Sequence, residues 1–307
     1  ATVHPGAASG GVRPEETHGE KVRGMTTTGQ AGSPPIPKEQ EKCSAPKRAR
    51  KSLGEESYMG RAVRMDICQG VSRISRFLER WCSWAETEHY HLMGYIFATA
   101  GYVLHYIYCG EPWEDLFISV FSDANFGGWD KSQSGYVIVI TGNAGTFIAI
   151  AWKSSFQCLS LTATGESEAV GWSNAAKAAI KFAAMKEYTQ HGRCRIIGWV
   201  DNQALQIAVS RGYSAKMAHM ETRYGGAHFY FWQQSGVIPH HCSGDENYAD
   251  IFTKVLGARK LKYLLRVAFG LNVAKNAHGS IVISGQMVRR IVRLLDLEGE
   301  TFFARGC

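Results

Sequence analysis

Residues 135–153 read GYVIVITGNAGTFIAIAWK, and this stretch decides the fold. Two apolar, β-branched runs, GYVIVIT (135–141) and TFIAIAWK (146–153), flank Gly142-Asn143-Ala144-Gly145, which is strong hairpin chemistry. Just upstream, residues 116–123 (LFISVFSD) read as a further buried strand. Downstream comes an Ala-rich stretch at helical period, 164–190, then RIIGWVD (195–201) as a fourth strand, with a helix following at once from Asn202. A helix over 216–234, a short fifth strand over 237–242 and a last helix from Asn247 complete the series. Three strands, helix, strand, two helices, strand and helix make an α/β unit. Its five-stranded sheet is mixed and flanked by helices.

The flanks read differently. Residues 58–110 open as helix, because Val71, Ile74, Phe77, Leu78 and Trp81 recur at three- and four-residue spacing. A second helix covers 87–100. Residues 92–109 carry no formal charge and approach the length of a membrane span, but they include Gly94, Thr99, Gly101 and His105. A helix ending near Gly101 and a strand over 102–108 fit them better, and no membrane partner is expected. Residues 1–57 hold six of the eight prolines and few large apolar side chains, so a disordered tail is expected. Within it, Lys47-Arg48-Ala49-Arg50-Lys51 suits a nuclear-import or nucleic-acid patch, and equally a solvated charge run. After about residue 270 the signal weakens, and 280–307 reads as a helical or loose tail.

Composition sets few limits. The apolar fraction of 45% is ordinary for a globular chain, and the net charge of +7 weakly favours a polyanionic partner. The eight cysteines contain no C-x-x-C pair, so neither a zinc site nor a thioredoxin-like motif is suggested. No secretory signal opens the sequence, which leads to an expectation of free thiols in a reducing intracellular compartment.

The chemistry lies in carboxylates at unusual positions. Asp123 and Asp201 each end an otherwise apolar strand, where open α/β sheets bind ligands. A helix N-cap explains Asp201 equally well and Asp123 less well. Glu168 heads a helical stripe that continues through Trp172, Ala175, Ala179 and Phe182, so it points toward the sheet. Glu166 and Glu187 lie off the stripe and read as surface. Asp250 opens the last helix, where the helix dipole also favours an acid. Four carboxylates reaching one edge of a sheet suit a hard divalent cation. Mg²⁺ takes oxygen ligands, and paired ions clamp both oxygens of a phosphodiester displacement.

These residues fall into a familiar series. Ser122-Asp123-Ala124-Asn125 followed by Ser134-Gly135-Tyr136 is similar to the S-D-A-D…S-G-Y opening of Copia-type retrotransposon ribonuclease H domains. Trp152 and Gln157 keep the family spacing. Thr164-Gly165-Glu166-Ser167-Glu168 resembles S-T-E-A-E, and Asp201-Asn202-Gln203-Ala204 resembles D-N-Q-S. His219 with Arg223-Tyr224 resembles H-I-D-I-R-Y, and residues 249–254 match A-D-I-F-T-K. Upstream, Arg64-Met65-Asp66-Ile67 and residues 72–77 (SRISRF) look like the C-terminal region of the reverse transcriptase. The sequence departs from the pattern at Ala169, at Lys153 (one lysine where a pair is expected) and at Gly225-Gly226. No Y-x-D-D polymerase motif is present.

The resemblance implies a ribonuclease H-like fold over 113–257, preceded by a reverse transcriptase remnant over 58–112 and followed by an extension over 258–307. It implies two Mg²⁺ or Mn²⁺ ions held by Asp123, Glu168, Asp201 and Asp250, with Asp123 shared. Glu168 and Asp201 would hold one ion and Asp250 the other, for hydrolysis of the RNA strand of RNA–DNA hybrids. Lys153, Gln157, Asn202 and Gln203 are candidate nucleic-acid contacts, and His240 and His241 candidate proton carriers. The expected partners are the hybrid and the upstream polymerase domain, in a cytoplasmic retroelement particle or the nucleus. A catalytically silent binding or connection module is the other reading, and an integrase- or resolvase-like nuclease a third.

Overall fold

The computed structural model describes residues 44–269, apart from 103, 105, 128–130, 159, 160, 162, 213, 216–231 and 233–235. The expected helix over 216–234 and the tail beyond 270 therefore lie outside the described residues, as do residues 1–43. The elements are helices α1 (Lys47–Ala62), α2 (Cys68–Ser75) and α3 (Ser83–Ala98), and strands β1 (Phe117–Asn125), β2 (Gln133–Thr141) and β3 (Phe147–Phe156). Then come α4 (Thr164–Gln190), β4 (Ile196–Val200), α5 (Gln203–Arg211), β5 (Pro239–His241), α6 (Asp250–Thr253) and α7 (Ala258–Phe269).

The five strands form one sheet in the order β3-β2-β1-β4-β5. β1, β2 and β3 pair antiparallel, whereas β1–β4 and β4–β5 are parallel. Antiparallel neighbours need only a turn, and 142–145 supplies it: Gly142 and Thr146 pair through their backbones, with Gly145 at φ +106°. The Glu111 carboxylate accepts from the Ala144 and Thr146 N–H groups and secures that turn. The parallel β1–β4 pair needs a crossover, which α4 provides with its 27 residues.

Both faces of the sheet are covered, so β1 is buried along nearly its whole length. On one face, Ile118, Val120, Ile138 and Ile140 meet Trp172, Ala175, Ala176 and Ala179 of α4 and Leu205 of α5. Gly198 makes room for Trp172, since a Cβ there would collide with the indole ring. On the other face, Phe117, Phe121, Val137 and Val139 share one core with Leu53, Ile74, Phe77 and Leu92 of the helical segment and with Phe252, Leu261 and Leu264. The segment is also tied by polar contacts. Trp152 Nε1 donates to the Gly60 carbonyl at 2.8 Å. Arg64 pairs with Asp66 at 2.7 Å, in a buried set that includes Tyr95 and Thr99.

Several sequence expectations need correction. The tail expected to be disordered through residue 57 is helical from Lys47. Proline content averaged over the whole stretch hid Leu53, which is fully buried, and Arg50, which donates to the Ala45 and Leu78 carbonyls and pairs with Glu79. The basic cluster is thus partly spent on docking α1. The single stripe from Val71 to Trp81 breaks after Ser75, and three-residue turns carry Phe77 to the core. The strand expected over 102–108 reduces, among the described residues, to one bridge between Ile107 and Phe147. The last helix is two, α6 and α7, separated where Lys254 turns to an extended conformation. Glu166 is buried, because residues 166–173 are buried without a break and leave α4 no outer face there. No helix among the described residues is long and apolar enough to cross a membrane.

Candidate functional site

Parallel pairing of β1 and β4 sets their carboxyl ends side by side. Phe121 pairs with Trp199, so Asp123, still paired with Gly135 of β2, and Asp201, just past the end of β4, stand at the same level two residues further on. Asp250 arrives on α6, held down by two devices. Asn247 donates to the Ser122 carbonyl at 3.0 Å and accepts from the Ala249 N–H at 3.1 Å. The Thr253 hydroxyl bonds the Asp123 carboxylate. Gly135 permits this approach, because a Cβ there would sit 2.5 Å from the Cβ of Phe252.

One carboxylate oxygen from each of Asp123, Asp201 and Asp250 lies within 4.8 Å of the others. Asp123 and Asp250 are buried and Asp201 is half-buried. Glu168 stands outside that group but within electrostatic reach of Asp123 and Asp201. Burial first, and then those two aspartates, hold its carboxyl well above the usual range, although a backbone hydrogen bond from Ala124 opposes this. Burial likewise pushes Asp123 up to about 6, with Asp250 and Asp201 adding to the rise and Lys254 and Thr253 opposing it.

Lys254 stands in the middle of the three aspartates. Its Nζ lies 2.6 Å from Asp250 Oδ1, 3.2 Å from Asp123 Oδ1 and 3.7 Å from Asp201 Oδ2. Burial disfavours its charge, yet the surrounding carboxylates outweigh that and hold the ammonium above its ordinary pKa. Lys260 adds a second ammonium, 2.7 Å from Asp250 Oδ2. Three converging carboxylates with an ammonium between them form a cation site by construction. The donors are all oxygen, which suits Mg²⁺ or Mn²⁺ rather than a thiolate-seeking metal, and the triad can hold such an ion in the place of Lys254 Nζ.

Mixed strand order, an α4 crossover between β1 and β4, and acids at the ends of both strands occur together here. The fold is ribonuclease H-like. No family model matches the chain, and no curated protein sequence does. Among solved structures it is similar to ribonuclease H1 from Halobacterium salinarum, with 13% identity over 44% of this chain and 93% of that one and a TM-score of 0.33. It is also similar to the N-terminal ribonuclease H domain of a Mycobacterium tuberculosis protein, at 13% identity over 50% and 99% with a TM-score of 0.32. A third similar chain is LC11 ribonuclease H1, at 14% identity over 44% and 93% with a TM-score of 0.30.

The other residues singled out in the sequence are scattered around this ribonuclease H-like sheet. Gln157 is buried and not free for nucleic acid, since its Nε2 donates to Ser134 Oγ and the Ser167 carbonyl. Asn202 caps α5 by accepting from the Leu205 N–H at 3.0 Å. Gln203 is exposed on the first turn of α5, and Lys153 is exposed on the edge strand β3. His240 packs against the Trp199 ring, while His241 is exposed opposite Val200, one residue before Asp201. His219 falls outside the described residues. Sequence reasoning gave no role to Lys254, Lys260, Thr253 or Asn247. Lys254 had a legible signal: four residues after Asp250, it is one helical turn away.

Proposed function

We propose that this chain is the ribonuclease H of a Copia-type retrotransposon polyprotein and cuts the RNA strand of RNA–DNA hybrids. The observation that carries the reading is the convergence of Asp123, Asp201 and Asp250 around a cation position. The ordered motif series from Asp123 to Lys254 supports the Copia assignment. Divalent ions bound there supply an activated water and neutralise charge at the leaving oxygen. Asp123, Asp201 and Asp250 would hold them, with Glu168 as the fourth carboxylate the resemblance implies. Burial raises the affinity of Asp123 and Glu168 for a proton, so a cation stabilises both as carboxylates. Lys254 is the group that must give way. The polymerase remnant upstream is the natural partner within the polyprotein.

One observation favours a second reading, a silent binding or connection module. Lys254 and Lys260 already neutralise much of the carboxylate charge from within. The deciding experiment uses an end-labelled RNA–DNA hybrid with Mg²⁺ or Mn²⁺, the native chain, Asp123→Asn and Asp201→Asn. Cleavage of RNA alone by the native chain, abolished in both variants, is the expected result. A folded native chain that binds the hybrid and never cuts it replaces the enzyme reading with the module.

A further inference from the structure

An open cleft of about 560 Å³ runs between α1 and α2 on one side and the outer edge of β3 on the other. No Asp or Glu lines it. Each wall contributes one exposed cation, Arg61 from α1 and Lys153 from β3, and neither makes an ion pair among the described residues. Arg61 donates only to the neighbouring Ser57 hydroxyl, at 3.2 Å. Three half-buried serines, Ser72 and Ser75 on one face of α2 and Ser155 on the edge strand β3, also line the cleft, and none has a side-chain hydrogen bond among the described residues.

The cleft leads toward the carboxylates. β1 and β3 are both antiparallel to β2, so their carboxyl ends share one edge of the sheet. Phe156, which lines the cleft at the carboxyl end of β3, pairs with Gln133, which pairs with Asn125 two residues past Asp123. Ser154 stands level with Asp123 across two strand spacings, about 10 Å away.

We propose that this cleft seats the sugar–phosphate backbone of a nucleic acid. The inference rests on the ribonuclease reading for where the strand leads, but not for the binding itself. Uncompensated cations attract phosphate, and unpartnered hydroxyls donate to its oxygens. Such contacts fix the position of a strand without reading its bases. The helical segment thereby becomes half of the nucleic-acid surface and extends the grip beyond the carboxylate edge.

The test measures binding without cleavage. The full chain is titrated onto a fluorescein-labelled RNA–DNA hybrid in EDTA over a series of salt concentrations, with anisotropy as the readout. Arg61→Gln/Lys153→Gln is compared with Lys177→Gln/Lys181→Gln, an equal charge change on the exposed face of α4. Affinity at least tenfold lower in the cleft variant, with the salt slope smaller by about two, supports the proposal. The α4 variant then binds nearly as the native chain does. Equal loss in both variants, no loss in the cleft variant, or no binding by the native chain overturns it. Displacement of the hybrid by poly-glutamate at matched charge also overturns it, because the cleft is then an acidic-peptide site. All four side chains are exposed, and an unchanged thermal midpoint verifies folding. A hybrid that is bound through the cleft and never cut sinks the ribonuclease reading alone.

Discussion

At the level of single residues, Lys254 decides what the site can be. Its ammonium is shared among three carboxylates, although its side chain is 37% exposed. A divalent ion entering among those oxygens competes with it directly. Replacing it by methionine keeps the side chain's length and removes the charge. In EDTA, Lys254→Met leaves Asp123 and Asp201 without their ammonium, so the thermal midpoint falls by about 3–6 °C after allowance for partial exposure. Adding Mg²⁺ then raises the midpoint of the variant more than that of the native chain, because a ligand stabilises the folded state it binds by an amount that grows with the logarithm of its affinity. Equal Mg²⁺ affinity by calorimetry in the two proteins takes Lys254 out of the cation position. The acids themselves were legible in sequence, because an aspartate ending an apolar strand and an inward glutamate on a helix stripe stand out against burial cost. Their neutralisation was not legible. Lys260 comes ten residues after Asp250, across the break between α6 and α7, and only the fold brings the two together. Gln157 misled for the opposite reason, since a polar side chain after a strand does not declare that Ser134 and Ser167 wait for it.

At the level of elements, the strands were legible because β-branched alternation, hairpin glycines and strand-end acids agree with one another. Helix ends and docking were less so. Periodicity shows that Phe77 and Trp81 seek the core, and three-residue turns satisfy that as well as a helix does. The position of α6 depends on a residue in another element. Gly135 of β2 lies under Phe252 and Thr253, so a methyl group there meets backbone as well as side chain, 3.2 Å from the Phe252 carbonyl carbon. Gly135→Ala therefore lifts α6 from the sheet and moves Asp250 away from Asp123. The expected cost is about 1–3 kcal/mol in urea unfolding, as for other overpacked sites. Mg²⁺ affinity should also drop at least tenfold in the folded variant. A variant that loses stability but keeps its metal affinity shows that the sheet, not α6, sets the site.

At the level of the whole molecule, the boundary drawn near residue 112 marks a change of period and not a gap between cores. The sequence separates helical spacing from strand spacing, but it cannot reveal that Phe117, Phe121, Val137 and Val139 share one core with helices from both sides of the sheet in sequence. α7 covers part of that face, and α1–α3 cover much of the rest. A fragment starting at residue 113 loses Leu53, Ile67, Ile74, Phe77 and Leu92 from the shared core. At roughly 2 kcal/mol for each large apolar side chain buried, that loss approaches the whole stability of an ordinary domain. The full chain should then unfold in one cooperative step, monitored by both tryptophan fluorescence and circular dichroism. The fragment should bind a hydrophobic dye and lack a sharp thermal transition. Should the fragment unfold as sharply as the full chain, the helical segment is a docked neighbour. Its half of the cleft would then be free to move with respect to the carboxylates. Should it collapse as expected, a rigid core fixes the cleft and the carboxylate edge relative to each other, and a strand held in one is held in register with the other.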